Sequence, residues 1–154
     1  MGFDVHQLEA GREFYLGGVK LDGAPKGAVG HSDADVLIHA LCDALLGAAN
    51  LRDIGYHFSN TDSRWKGMNS QYFLREVTAM LKERGWQIGN ADCTICLEKP
   101  KVNPHVPQMK KVLAGLMEVE EDDVSIKATT NETLGYVGRE EGVFAYAVVL
   151  IQRA

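Results

Sequence analysis

Cysteine, positive charge and long apolar runs are all in short supply in this chain of 154 residues. Three cysteines cannot all pair with one another, and nothing else points to secretion, so a reducing compartment is expected. Lysine and arginine number 16 against 21 acidic residues, a net charge of -5 with no local basic cluster, which argues against a nucleic-acid-binding surface. An anionic substrate fits that balance only where a metal or a concentrated site offsets the overall repulsion. No apolar run approaches the length of a membrane span, and no secretory leader is visible at the start. Internal repeats, linkers and low-complexity segments are missing too, so a single domain over residues 1–154 is expected. What remains is 45% apolar and 24% charged residues, ordinary for a globular chain with one real core.

Strand and helix patterns alternate along the chain. Phe3, Asp4, Val5 and His6 read as extended, with Asp4 and His6 on one face and Phe3 and Val5 on the other. Phe14 to Leu16 and Val19 to Leu21, separated by Gly17-Gly18, predict a hairpin with a two-residue turn. Asp22 to Gly30 holds three glycines and a proline and reads as loop. Helices are predicted over His31 to Asn50, over about Ser70 to Arg84 with Gly85 as its stop, and from Pro104 and Pro107 to about Met117. Ala91 to Leu97, Val124 to Thr129 and Val143 to Ile151 read as strands. The expected fold class is α+β, an α/β sandwich with helices over one face of a mixed sheet.

The stretch HSDADVLIHALCDALLGAAN (His31 to Asn50) carries the first chemistry. Leu37, Leu41, Ala44, Leu45 and Ala48 recur at helical spacing as one apolar stripe. His39 falls opposite, one turn from Asp35 and one from Asp43, and reads equally as a metal ligand or as a solvated histidine. Ser32 and Asp35 read as an N-terminal capping pair, which would set His31 and Ser32 beside exposed N–H groups that suit a phosphate. Together Asp4, His6 and His39 offer a carboxylate and two imidazoles, the three-ligand pattern of catalytic zinc with a fourth position open. Cys93 and Cys96 have C-x-x-C spacing, but in a strand their thiols diverge, so they and Cys42 are assigned to packing. His57 and His105 are expected to be solvent-exposed.

After Asn50 the chain loses periodicity, and the polar run Asp53 to Asp62 reads either as a functional loop or as a solvated connection. In KATTNETLGYVGR (Lys127 to Arg139), Thr129, Thr130 and Arg139 are suited to phosphate. Glu132 would repel it unless a cation lay between, which points to a magnesium-type site. An ordinary strand, turn and capped end is the equal alternative.

Taken in order, GFDVH at Gly2 to His6, the His31 to Ala49 helix, DIG at Asp53 to Gly55 and the Lys127 to Arg139 segment resemble the 2-C-methyl-D-erythritol 2,4-cyclodiphosphate synthase family over essentially the whole chain. The resemblance implies a homotrimer whose sheets face a central axis, with active sites between subunits, in the non-mevalonate isoprenoid pathway. It implies zinc on Asp4, His6 and His39, and magnesium or manganese on Glu132. The implied substrate is 4-diphosphocytidyl-2-C-methyl-D-erythritol 2-phosphate, whose 2-phosphate closes a cyclic diphosphate and releases CMP. His31 and Ser32 would contact the phosphate end, with Asp4, Val5 and His6 beside them. Asp53, Ile54, Gly55, Phe58, Asn60, Thr61 and Asp62 would hold the sugar and linker. Leu97, Pro100, Lys101, Val102 and Asn103 would hold the cytidine, and Thr129, Thr130, Asn131 and Glu132 the diphosphate. His31 and Thr130 would stabilise the transition state, and Asp43 would orient His39 from behind. Phe3, Tyr136, Arg139 and Glu141 resemble residues lining an axial cavity that accepts isoprenoid diphosphates. A bacterial cytoplasm is the implied setting, a mature plastid protein the other.

Several positions depart from the family pattern. The chain starts one residue before GFDVH, so the first strand, as an edge strand, is expected to hold Asp4 less securely. Ser59 and Asn60 replace the proline and acid of F-P-D-T-D, which frees the backbone and weakens any charged contact there. HSDAD replaces HSDGD, with Ala34 expected to accept helix-start angles easily, and Asn131 stands where a third threonine is usual. Two other functions compete: a zinc-dependent phosphohydrolase using water, and a trimer that only binds isoprenoid diphosphate or nucleotide.

Overall fold

In the computed structural model, which describes all 154 residues, the chain runs β1 (Gly2–Ala10), the hairpin β2 (Tyr15–Leu16) and β3 (Val19–Lys20), then β4 (Lys26–Ala28) and α1 (Val36–Ala48). It continues through α2 (Ile54–His57), α3 (Ser70–Glu83), β5 (Trp86–Cys96), α4 (Val106–Met117), β6 (Val124–Thr129), α5 (Gly135–Gly138) and β7 (Gly142–Arg153). Five strands form one sheet in the order β4-β1-β7-β5-β6, all antiparallel neighbours except the parallel pair β5–β6. This is the mixed sheet and α+β class expected. β7 pairs with β1 along Gly2–Gln7, setting Asp4 opposite Ala145, whereas β4 pairs only with its far end at Leu8–Ala10, so the stretch that carries Asp4 keeps one open edge within the chain.

The alternation along β7 explains the layering. Val143, Ala145 and Ala147 are buried toward the helices, while Tyr146, Val148 and Leu150 stay exposed on the other face. Gly2, Ala145 and Ala147 leave room above the sheet, and α1 fills it. A Cβ on Gly2 would fall 1.9 Å from the Ala40 carbonyl oxygen, so only glycine permits this approach. Residue size on the sheet thus sets how near α1 comes to β1.

The single-stripe expectation for α1 fails. Val36, Leu37, Ile38, Ala40, Leu41, Cys42, Ala44, Leu45 and Leu46 are all buried, and Ala48 is exposed, because α1 lies between the sheet and α3. His39 and Asp43 interrupt that apolar surface, and both are half-buried. The helix also starts later than predicted. Asp35, not Ser32, caps it, accepting from Ile38 N at 3.0 Å. Ala34 ahead of the cap has φ 58, a left-handed angle that costs an L-residue roughly 1–2 kcal/mol, so its accommodation is not easy. The Asp35 carboxylate also accepts from Gly17 N (2.9 Å) and Gly18 N (2.7 Å), anchoring the hairpin turn where both glycines have positive φ. Burial foremost, then the nearby Asp33, raises the pKa of this fully buried group.

Four smaller expectations are corrected. Lys26–Ala28 is a strand rather than loop, since it completes pairing at the end of β1. β5 begins at Trp86, five residues before the predicted start, with a bulge between Ile88 and Asn90. Asp53 caps a helical turn, α2, instead of opening an irregular loop. His57 and His105 are half-buried, His57 through a 2.7 Å bond to the Leu51 carbonyl.

Candidate metal centre

Period-two alternation puts Gly2, Asp4 and His6 on the helix-facing side of β1, and the close approach at Gly2 brings α1 down so that His39 reaches them. His6 Nε2 lies 2.9 Å from Asp4 Oδ2, His39 Nδ1 lies 3.1 Å from the same oxygen, and the two ring nitrogens are 3.2 Å apart. These side chains form the one group of three or more His, Cys, Asp or Glu residues arranged to hold a metal ion. His6 Nδ1 is 2.8 Å from the Val29 carbonyl, which can only accept, so Nδ1 carries a proton and Nε2 is the atom that could ligate a metal.

A carboxylate oxygen facing two imidazole nitrogens at these distances is satisfied by ring N–H donors or by a cation between them. Burial opposes ionisation of Asp4, but hydrogen bonds from His39 and His6 outweigh it and lower its pKa from 3.8 to about 2. Burial likewise opposes a charge on His6, yet the Asp4 carboxylate prevails and raises its pKa. The arrangement therefore favours a cation, and a divalent ion can take the place of the proton.

The triad opens onto a cavity of about 400 Å3 lined by Gly30, His31, Ser32, Ile54, Gly55, Phe58, Asn60, Trp65 and Phe73 as well as Asp4, His6 and His39 themselves. One wall is aromatic: Phe58 packs on Phe73 (centroids 4.9 Å apart) and on Trp65 (5.5 Å). His31 Nε2 meets the Asp62 carbonyl at 3.0 Å, tying the 58–62 loop to the cavity rim. The Asp62 carboxylate turns instead to Arg64, at 2.6 and 2.9 Å, and Thr61 is exposed and bonded to Ser59. The Val5 side chain points to the opposite face of the sheet, so only its backbone adjoins the triad.

Asp43 does not orient His39. Its Oδ1 accepts from Ile54 N at 2.7 Å and fixes the start of α2; burial, ahead of neighbouring Asp53, raises its pKa. His39 Nε2 instead faces Ser70 Oγ at 2.9 Å and Ser32 Oγ at 3.2 Å.

A second, smaller depression of about 100 Å3 lies where β5 and β6 end side by side, Cys96 in register with Thr129. Leu97, Pro100, Lys101, Val102, Asn103, Thr129 and Thr130 line it, joined by Glu98 and Ala128. Glu98 Oε1 accepts from Asn131 N (2.8 Å) and Thr133 N (3.2 Å), binding the two loops together. Glu132, at φ 51, is exposed and accepts from Thr130 Oγ1 at 3.2 Å. Within one chain the two depressions share no lining residue. Arg139 is paired bidentately with Glu141, at 2.9 and 3.0 Å. Tyr136 joins Phe144, Phe3 and Tyr146 in an aromatic cluster that reaches the open face of the sheet.

Gly30, Trp65, Phe73, Ser70, Asp33 and Glu98 went unnoticed in the sequence. Phe73 fits a core pattern, and no spacing rule links Ser70 or Glu98 to residues more than thirty positions away.

Comparison with known proteins places this geometry among relatives. A sequence model of the YgbB family matches residues 1–152. The 2-C-methyl-D-erythritol 2,4-cyclodiphosphate synthase of Cytophaga hutchinsonii is 61% identical over 97% of this chain and 94% of its own length. That of Parabacteroides distasonis is 58% identical over 99% and 94%. A solved 2C-methyl-D-erythritol-2,4-cyclodiphosphate synthase, bound form CDP, superposes with a TM-score of 0.90 at 40% identity, covering 98% of this chain and 97% of that one. The bifunctional IspDF from Campylobacter jejuni superposes with a TM-score of 0.95 at 36% identity over 99% of this chain, which spans 41% of that longer protein.

Proposed function

The chain belongs to the YgbB family, and from that membership we propose that it converts 4-diphosphocytidyl-2-C-methyl-D-erythritol 2-phosphate to 2-C-methyl-D-erythritol 2,4-cyclodiphosphate, releasing CMP, in the non-mevalonate isoprenoid pathway. The observation that carries the proposal is the convergence of Asp4, His6 and His39 at the mouth of a cavity. One carboxylate and two imidazoles suit zinc with one coordination position left for a ligand. Glu132, an exposed carboxylate beside the Thr130 hydroxyl, suits magnesium or manganese completed by phosphate oxygens. Bound there, divalent ions would withdraw charge from the diphosphate as it is attacked.

The reaction is an intramolecular phosphoryl transfer, a phosphorus–oxygen lyase step. An oxygen of the 2-phosphate forms a bond to the β-phosphorus, and the bond from that phosphorus to the CMP oxygen breaks, its electron pair leaving with CMP. The nucleophile is already an anion, so no strong general base is required. The chain's residues fold the substrate back on itself, and well-oriented intramolecular attack is worth on the order of 7 kcal/mol or more. His31 and Ser32 hold the phosphate end and Asp53–Gly55 with Phe58–Asp62 the sugar. The backbone of Leu97–Asn103 holds the cytidine, and Thr129–Glu132 the diphosphate. His31 and Thr130 supply polar stabilisation to the transition state.

In this reading the substrate is held between neighbouring subunits of a homotrimer, and the separation of the two depressions in one chain supports that arrangement. The open sheet face supports that assembly, with Phe3, Val5, Tyr146, Val148 and Leu150 each 41–60% exposed in the isolated chain. At its axis Phe3, Tyr136, Arg139 and Glu141 would line a cavity for an isoprenoid diphosphate. No helix is long and apolar enough to cross a membrane, and the proposed setting is cytoplasmic.

Phosphorus NMR of the protein with this substrate, zinc and magnesium tests the reading. Equal amounts of CMP and cyclic diphosphate are expected. A linear hydrolysis product would indicate a phosphohydrolase, and bound but unchanged substrate a binding protein; either overturns the proposal.

A further inference from the structure

β5 and β6 run side by side as far as Cys96 and Thr129, and the last main-chain bond between them joins Leu97 N to the Thr129 carbonyl at 3.0 Å. Past that point the chain parts into the 97–103 loop and the turn at 130–135, which no backbone bond links. The Glu98 side chain takes over. One carboxylate oxygen accepts from Asn131 N at 2.8 Å and from Thr133 N at 3.2 Å, the N–H groups on either side of Glu132. Neighbouring Lys99 pairs with Glu140 at 2.8 Å and leaves Glu98 to these two donors. The turn needs holding. Glu132 (φ 51) and Thr133 (φ 65) are both left-handed, which crowds Cβ against the backbone and is rarest for a β-branched residue such as threonine. Gly138 packs so closely behind it that a Cβ there would lie 2.0 Å from the Thr133 carbonyl carbon. The turn thus aims two N–H groups into one concavity of the kind that binds anions, and here the anion is the chain's own carboxylate.

We propose that Glu98 is a positioning residue for the nucleotide end of the site: it clamps the Glu132–Thr133 turn in its left-handed shape and ties it to the 97–103 loop, so that both present one preformed surface to a nucleoside diphosphate. The inference rests on the reading of the smaller depression as the cytidine and diphosphate site. The clamp acts on both halves at once. On one side Pro100, Lys101 and Val102, just after Glu98, line the depression; on the other Thr130 lines it, and its hydroxyl donates to Glu132 Oε1 at 3.2 Å. Without the clamp the turn is free to relax to right-handed angles, which carries the Glu132 side chain and the flanking N–H groups away from their present places. Ordering the turn again would then draw on binding energy, so affinity falls. What Glu98 supplies is an acceptor oxygen at the right spot. Its negative charge is no part of the role, since a diphosphate and Glu132 are themselves anionic.

Calorimetry with CDP and magnesium, paired with amide hydrogen exchange read by NMR on the ligand-free protein, tests the proposal in wild type and two variants. Wild-type amides of Asn131 and Thr133 should exchange about 10-fold or more slower than those of an unstructured peptide. Glu98→Ala should lose that protection and bind CDP about 10–100-fold more weakly, as for the loss of a hydrogen bond to a charged group. Glu98→Gln is the discriminating variant, because its amide oxygen accepts the same two bonds without the charge. It should keep the protection and recover most of the affinity, a rescue that a role for the charge itself would not allow. Unprotected amides at 131 and 133 in wild type, wild-type CDP affinity in Glu98→Ala, or Glu98→Gln as weak as Glu98→Ala would each overturn the proposal. The wild-type exchange decides whether the clamp exists even where Glu98→Ala does not fold. Wild type unable to bind CDP would instead count against the cytidine reading of the depression.

Discussion

Adding one methyl group to Gly30 should disable the metal site without touching a ligand. A Cβ there would lie 2.8 Å from Ala34 Cβ, 3.0 Å from His6 Cε1 and 3.3 Å from His6 Nδ1. Carbon atoms in contact normally sit at roughly 3.5–4.0 Å, so the His6 ring or the Gly30 backbone must recede by about half an ångström. His6 cannot absorb this freely, because its Nδ1 is held by the Val29 carbonyl at 2.8 Å. Metal–ligand distances tolerate only about 0.2 Å, so a displacement of this size moves Nε2 out of range. Gly30→Ala should weaken zinc binding about 10–100-fold, equivalent to about 1.4–2.8 kcal/mol. Overpacking should add a stability cost of about 1–3 kcal/mol. Chelator competition gives the affinity, and thermal unfolding gives the stability. Turnover should fall in parallel with affinity at limiting zinc and recover partly at saturating zinc. A variant that melts earlier but binds zinc like wild type would refute the reasoning, since His6 would then not be a ligand at this position.

The remaining predictions concern the same site and the core. His39→Ala should abolish zinc binding and turnover together; stoichiometric zinc retained by that variant would remove His39 from the site. In metal-free protein the Asp4 pKa, lowered to about 2 from 3.8, means that its contribution is fully present above about 4 and is lost as pH falls toward 2. The loss is about 2 kcal/mol at most, and the raised His6 pKa means the same pair also weakens as pH rises through the histidine's folded value. Asp4→Asn should flatten the acid limb of a stability–pH profile; an unchanged limb would show that the pair contributes nothing. Burial first, then Asp92, pushes the Cys93 thiol up to about 12, and burial raises Cys42 and Cys96 as well. All three thiols should therefore resist alkylation at pH 8 in folded protein, and rapid labelling would show that the core opens.

How much could be read without coordinates depended on whether a feature repeats locally. Asp4 and His6 are two apart in an extended run, so their shared face follows from strand geometry. The bounds of β6, Val124–Thr129, come from a β-rich stretch between turns, and Gly85 ends α3 at φ 72 as a helix stop should. The short β4 was hidden by its glycine- and proline-rich surroundings, because its pairing with β1 is non-local. The burial of α1 on nearly every side reflects what packs on it, not its own pattern, and so misled the stripe expectation. Alanine at position 34 gives no sign of its left-handed angle, whereas the glycine of the usual HSDGD pattern does. Ser70 and Asp33 meet His39 through hydrogen bonds spanning 31 and 37 positions, and the Val29 partner of His6 is a backbone carbonyl that no residue type announces. The separation of the two depressions, too, depends on where β5 and β6 end in space.

Zinc K-edge absorption on the isolated protein, paired with metal stoichiometry, tests the metal centre most directly. The triad predicts one ion per chain, with two imidazole nitrogens and carboxylate oxygen at roughly 2.0–2.2 Å and one further light ligand, all lost in Asp4→Ala. A shell without imidazole scattering, or stoichiometric zinc persisting in Asp4→Ala, would contradict it.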